Sequence, residues 1–352
     1  MKVGLLTGGG DCPGLNAVIR AVTRSLIRQC NAEVIGINDG FAGLMERRTQ
    51  PLTWDNVGGL LGVGGTILGT TNRLDPLQSE AATQRALDNA QALGLDAVVA
   101  MGGDGTMTIA HGLARRGLKV VGVPKTIDND IEGCERSFGF DTALATATEA
   151  LERLRTTGQS HGRVMVLETM GRHAGWIALE AGVAGAADII LLPEIDHDIA
   201  AVAAVCRDRE SRGKFSLICV GEGAKPVGGS LTLDTPAPTD TGKPRLGGVA
   251  FALRDRLQPL IQSEVRATVL GHVQRGGSPT PFDRVLSTQF GVRAAQLVLE
   301  GQFDRMVTLQ NGQLDSVPLS RVAGQNRRIA PHDPLLQMAR HIGISFGEPD
   351  GA

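Results

Sequence analysis

Short apolar runs alternate with stretches of helical periodicity along nearly the whole chain. Val3–Thr7, Val34–Ile37, Ala97–Met101, Val120–Val123, Arg163–Glu168, Ile189–Leu192, Phe215–Val220 and Arg266–Leu270 read as strands. Helices are expected over Leu15–Gln29, Ser79–Leu93, Met107–Arg116, Ile199–Arg212, Gly248–Glu264 and Phe282–Glu300, with two more ending at about Arg155 and about Gly182. Residues 224–248, rich in Gly, Pro, Thr and Asp, show little periodicity and read as an exposed excursion. Beyond Arg305 the pattern predicts a hairpin, Met306–Gln310 against Gly312–Pro318 with Asn311-Gly312 as its turn, and then a short helix. Such alternation indicates an α/β protein with two doubly wound lobes.

The stretch Val98–Asp130 organises the rest. Two apolar strands flank one crossover helix, and each ends in an acidic loop: Gly102-Gly103-Asp104-Gly105-Thr106 and Pro124-Lys125-Thr126-Ile127-Asp128-Asn129-Asp130. A βαβ unit brings both loops to the same sheet edge, where open α/β sheets bind ligands. The first strand ends likewise in Gly8-Gly9-Gly10-Asp11, before a helix whose free N–H groups and dipole favour an anion. That turn matches neither GxGxxG nor GxxxxGK[ST]. Gly65–Arg73, small residues ending in one Arg, suits a second phosphate-contacting loop.

Composition narrows the chemistry. The 352 residues are 42% hydrophobic, enough for one large or two medium α/β domains. Aromatics are only 3%, with no Tyr, which argues against a stacking platform for single-stranded nucleic acid. A net charge of −2 gives no general attraction to nucleic acid or membrane. Five scattered cysteines without a CxxC pair read as reduced thiols. No signal h-region or membrane-length stretch is present, so a cytoplasmic location is expected.

Phosphoryl transfer needs a hard cation, a group to take the acceptor's proton, and fixed positive charge. Asp104, between glycines at a strand end, suits Mg²⁺, which needs only one or two carboxylates. Asp128 suits the proton acceptor for a sugar hydroxyl. Taken singly, Asp104, Asp128 and Asp130 read equally well as helix caps or turn acids; their convergence favours a site. Arg163, Arg172, Arg266 and Arg275 all read as flanking strand ends of the second lobe, in one topological position, which argues for a phosphorylated substrate. His272, with no other ligand at metal spacing, reads as a hydrogen-bonding group.

The chain at this point closely resembles the phosphofructokinase family. The likeness runs through GGGDCPGLNAVIR (Gly8–Arg20), GTILGTTNR (Gly65–Arg73), GGDGT (Gly102–Thr106), PKTIDND (Pro124–Asp130), FGFDTA (Phe138–Ala143), LETMGR (Leu167–Arg172) and RATVLGHVQRGGSP (Arg266–Pro279). The resemblance implies two three-layer lobes, residues 1–139 with about 274–324 and about 140–273 with 325–342. It implies Asp128 as general base for the fructose 6-phosphate 1-hydroxyl, Asp104 for Mg²⁺, and Thr126 and Asp130 as substrate holders. Gly10, Arg73, Gly105, Thr106 and Lys125 would serve the phosphoryl donor, with Arg73 and Arg172 acting in catalysis. Met170, Gly171, Arg172, Glu222, His272 and Arg275 would bind the sugar phosphate. Arg163 and Arg266 would reach it from a neighbouring subunit, so a homo-oligomer, dimer or tetramer, with shared sites is implied. Arg20, Arg24, Arg155, Asp188 and Lys214 fall where regulated members bind an effector.

For the donor, the resemblance implies ATP from Gly105, because in that family a carboxylate at this position goes with pyrophosphate and would obstruct the nucleotide α-phosphate. Lys125 resembles the family's pyrophosphate enzymes. The steric argument weighs more, so ATP is expected. An NAD- or lipid-type kinase shares GGDGT but leaves the strand-end arginines unexplained, and a non-catalytic nucleotide sensor would not need both base and metal carboxylate.

Overall fold

Runs of Val, Ile, Leu and Ala with no polar position can be strands only if both faces are covered, and that is how the chain uses them. The computed structural model describes residues 1–71, 74–238 and 244–349. Its strands are β1 (Lys2–Thr7), β2 (Glu33–Ile37), β3 (Thr49–Leu52), β4 (Ala97–Gly102), β5 (Val120–Pro124), β6 (Val164–Thr169), β7 (Ile189–Leu191), β8 (Ser216–Gly221), β9 (Leu233–Pro238), β10 (Pro244–Leu246), β11 (Val265–Val269), β12 (Arg305–Gln310) and β13 (Gln313–Pro318). The chain divides into two units: Met1–Thr142 with Arg275–Arg327, and Ala143–Gln274 with the chain from Arg328 onward.

The first unit holds a seven-stranded sheet, ordered β13-β12-β5-β4-β1-β2-β3. β12, β5, β4, β1 and β2 are parallel, and β13 and β3 close the edges antiparallel. From β1 the chain winds one way to β2, whereas from β4 it winds the other way to β5. The switch point therefore lies between β1 and β4, where such sheets open a crevice at their carboxyl ends. Register places Thr7 beside Met101, and Gly102 beside Pro124, so all three acidic or glycine-rich turns leave one edge. Helix Leu15–Cys30 covers one face against helix Pro281–Leu299. Gly291 makes that approach possible, since a Cβ there would lie 2.7 Å from the Ala21 methyl.

The second unit holds a parallel sheet ordered β11-β6-β8-β7. Val166, Ile218 and Val220 pack with Val202, Cys206, Leu253 and Leu257 from helices Ile199–Ser211 and Val249–Leu257. Among the described residues no helix is long and apolar enough to cross a membrane.

Several expectations are corrected. Asp104, Gly105 and Thr106 are not loop residues: they form the first turn of helix Asp104–Ala114, where an acidic side chain favours the helix dipole. The excursion at 224–248 contains a pairing, β9 with β10, whose register is irregular; Pro236, Pro238 and Pro244 have no N–H to give a regular ladder. The helix expected over Gly248–Glu264 ends at Leu257, and a 3₁₀ turn carrying Pro259 follows. The expected hairpin is present, with Asn311 (φ 50°) and Gly312 (φ 70°) both left-handed at its turn.

Candidate active site

The turn after β1 is built for close approach. The Gly8 N–H donates to the Met101 carbonyl (2.8 Å). Thr106 fills the space beside it, so a Cβ on Gly8 would meet the Thr106 hydroxyl at 2.6 Å. The Thr70 hydroxyl donates to the Gly9 carbonyl (2.6 Å). Gly10 lies under the Arg275 guanidinium, which also donates to the Asp11 carbonyl (3.3 Å). Lys125 is 3% exposed and its ammonium donates to the Gly10 carbonyl, so it braces the glycine turn from beneath. Burial lowers the Lys125 pKa, and the nearby charge of Asp128 and Asp11 works against that shift.

Gly105 is the opposite case. It is exposed, its φ lies outside the left-handed region, and a Cβ added there would meet no atom within 4 Å. Neither packing nor backbone geometry requires glycine at this position. Arg73, expected to face the donor, lies outside the described residues.

The acidic groups converge in the first unit. Asp104 Oδ1 accepts from the Gly324 N–H (2.8 Å) and from the Thr108 hydroxyl (3.4 Å). The Asp128 N–H donates to Thr126 Oγ1 (3.0 Å), and that hydroxyl donates to Asp130 Oδ1 (3.4 Å). Asp128 Oδ1 is enclosed without a hydrogen-bond partner. Burial pushes the Asp128 pKa up, while Arg275 and Lys125 pull it down. Burial, with the charges of Asp128 and Asp104 added, pushes Asp130 up to about 7. Asp128 and Asp104 thus both add negative charge beside Asp130, and a carboxylate cluster of that kind suits a hard cation. Among the described residues no group of three or more His, Cys, Asp or Glu is placed to hold a metal. That donor set excludes a closed protein cage and fits Mg²⁺, which takes one or two carboxylates and leaves its other positions to water and phosphate oxygens.

In the second unit, Met170-Gly171-Arg172 leaves the carboxyl end of β6, Glu222 that of β8, and His272 that of β11. Gln274, fully buried, accepts from the Met170 N–H (3.4 Å). Gly171 (φ 129°) takes a backbone shape that L side chains rarely adopt.

The four arginines do not share one position. Arg163 immediately precedes β6, and Arg266 is the second residue of β11, paired beside Met165. Parallel strands share their starting edge, so these two stand opposite Arg172 and His272 across the length of the strands. Both pair with Glu264, Arg163 at 2.6 Å. Arg275 belongs to the first unit, with Gly10, Asp11 and Asp128.

The five expected effector residues divide. Arg20 and Arg24 lie on helix Leu15–Cys30, where Arg24 stacks 4.5 Å over the Trp54 ring. Asp188, in the second unit, pairs with Arg209 (2.8 Å) and accepts from the Leu217 N–H (2.9 Å), with Arg155 and Lys214 near enough to act on its charge. Sequence reasoning missed Gln274, Gly324 and Arg327: Gln274 stands inside RATVLGHVQRGGSP but between the two residues that drew attention, His272 and Arg275, whereas Gly324 and Arg327 lie in no strand-end motif.

The phosphofructokinase family model matches residues 2–298. An ATP-dependent 6-phosphofructokinase of Chloroflexus aurantiacus is 49% identical over 356 aligned residues, covering 99% of this chain and 98% of that protein. A pyrophosphate–fructose 6-phosphate 1-phosphotransferase of Streptomyces coelicolor is 44% identical, covering 99% of this chain and all of that one. Among solved structures, Pichia pastoris phosphofructokinase in the T-state superposes with a TM-score of 0.80 at 33% identity over 91% of this chain, which spans 35% of that much longer one.

Proposed function

The chain belongs to the phosphofructokinase family, and on that premise we propose that it transfers the terminal phosphoryl group of ATP to the 1-hydroxyl of fructose 6-phosphate, yielding fructose 1,6-bisphosphate. The observation that carries the donor assignment is the empty space at Gly105: a nucleotide α-phosphate can lie against the backbone there without meeting a side chain. Lys125 does not argue against ATP, because its ammonium is engaged with the Gly10 carbonyl beneath the turn.

Asp128 accepts the proton of the attacking hydroxyl. Its unpartnered Oδ1 and raised pKa equip it for that task, since a base works best when its pKa approaches the operating pH. Thr126 and Asp130 hold the acceptor. Arg275 stands between the glycine turn and Asp128 and supplies fixed positive charge for the transferring group. Asp104 would hold Mg²⁺, whose chemistry when bound is to neutralise phosphate oxygens. Met170, Gly171, Arg172, Glu222 and His272 bind the sugar phosphate. Arg163 and Arg266 serve the 6-phosphate of a neighbouring copy, a reading supported by their standing at the far edge of the strands from Arg172. The enzyme works as a dimer or tetramer in the cytoplasm, where its five free thiols stay reduced.

The test is a product assay with fructose 6-phosphate and either ATP or pyrophosphate, with Mg²⁺ present. Fructose 1,6-bisphosphate is expected from ATP; formation from pyrophosphate alone would overturn the donor assignment.

A further inference from the structure

Gly324–Arg327, the last residues of the first unit, run behind both acidic turns. At one end the Gly324 N–H donates to Asp104 Oδ1 (2.8 Å) and to Thr108 Oγ1 (3.1 Å). In the middle Asn326 forms a bridge with Ile131. At the other end the Arg327 N–H donates to the Asp130 carbonyl (2.8 Å). The Arg327 guanidinium forks onto the Asn129 carbonyl, Nε at 3.2 Å and Nη2 at 2.8 Å, and Nη2 also reaches the Glu135 carbonyl (3.2 Å).

Asn129 is the residue most in need of such support. It separates Asp128 from Asp130, is 3% exposed, and has a left-handed backbone (φ 53°). Asparagine tolerates that conformation better than most residues but is not held in it by itself. Its side chain is pinned in front, accepting from the Ser137 N–H (2.9 Å) and donating to the Glu135 carbonyl (3.3 Å). Its carbonyl is pinned from behind by Arg327. A charged fork onto a carbonyl is stronger than a neutral hydrogen bond and fixes direction as well as distance.

We propose that Gly324–Arg327 is a positioning strap for the reaction: Arg327 sets the Asp128–Asn129–Asp130 turn, Gly324 sets Asp104, and one short piece of chain thereby fixes the base against the metal carboxylate. The proposal rests on Asp128 being the general base. Arg327 is a positioning residue; it acts on the carboxylates through the backbone that carries them.

The experiment compares Arg327→Met, Arg327→Lys and Asp128→Asn with the parent enzyme. Arg327→Met is expected to lower kcat about ten- to a hundredfold, the size of a misplacement of roughly 1 Å, with KM for ATP within about twofold. It should also shift the acid limb of the pH–rate profile and speed amide exchange of Thr126–Ile131 in the ligand-free protein. Arg327→Lys keeps a donor but loses the fork and should fall between the two; if the Met variant does not fold, the Lys variant carries the test on the same readouts. Parent-like kcat and an unmoved acid limb in the folded variant, even with a lowered Tm, would overturn the strap's role. Asp128→Asn separates the two layers. If it retains turnover the base assignment fails, whereas its loss beside a parent-like Arg327 variant refutes the strap alone.

Discussion

At the scale of single residues, the site sets opposite demands on two neighbouring glycines. Gly10 lies under Arg275, whose guanidinium would have to move to admit a side chain there, whereas Gly105 has open space where its Cβ would be. Gly105→Asp should therefore fold normally, with a Tm near that of the parent, while its carboxylate repels the α-phosphate. The expected readout is a fall in kcat/KM for ATP of about ten- to a thousandfold, the scale of one badly placed charge in a partly desolvated site. Asp128→Asn should cut turnover by roughly two to four orders of magnitude with little change in circular dichroism. The raised carboxylate pKa values also set a pH dependence. A carboxyl whose folded pKa exceeds its unfolded value binds protons more tightly when folded, so its stabilising effect is lost as pH rises through the folded value. Through Asp130 the ligand-free protein should lose stability from about pH 4 to about pH 7. Asp130→Asn should raise Tm at pH 8 more than at pH 5, as thermal melts would measure. The acid limb of kcat/KM should lie above the ordinary carboxylate range, because burial raises the Asp128 pKa, and Mg²⁺ should lower it.

At the scale of elements, the contact of helix Leu15–Cys30 with helix Pro281–Leu299 depends on Gly291. Gly291→Leu should overpack it, costing about 1–3 kcal/mol in urea unfolding while the turnover of folded molecules stays unchanged. Elements with a single strong period were legible from the sequence. β1, β4, β5 and β8 are nearly all apolar, and Ser79 marks its helix start by accepting from the Ala82 N–H (3.2 Å). β3, with Pro51 and an exposed side, carries no such signal, and helix Gly40–Glu46 is too short for one. The same division holds within the site. Asp104, Thr126, Asp128 and Asp130 stand in contiguous strand-end turns, so strand periodicity alone brought them together. Its strand-end position grouped Arg275 with the second lobe, although the bounds implied by the resemblance start the returning segment at about 274; in the fold the chain changes unit between Gln274 and Arg275. Arg327 lies 198 residues from Asn129, and no local pattern encodes a contact made at that separation.

At the scale of the whole molecule, the opposed positions of Arg163 and Arg172 along β6 bear on assembly. If Arg163 serves a neighbour's site, an Asp128→Asn chain and an Arg163→Ser chain complement each other. Each alone should be nearly inactive, whereas chains unfolded together and refolded should regain activity in about a quarter of sites by random pairing in a closed oligomer. No recovery on mixing would show that each chain uses its own Arg163.

The open space at Gly105 also bears on how such an enzyme changes over generations. Most residues that govern a reaction are tied to the fold, so altering them carries a stability cost that selection must first offset. Here the fold is indifferent. Glycine and aspartate codons differ by one base, and Lys125 already stands under the adjoining turn. If Gly105 governs the donor as proposed, a lineage carrying this scaffold can thus try a different phosphoryl donor in a single mutational step, without first gathering stabilising changes elsewhere.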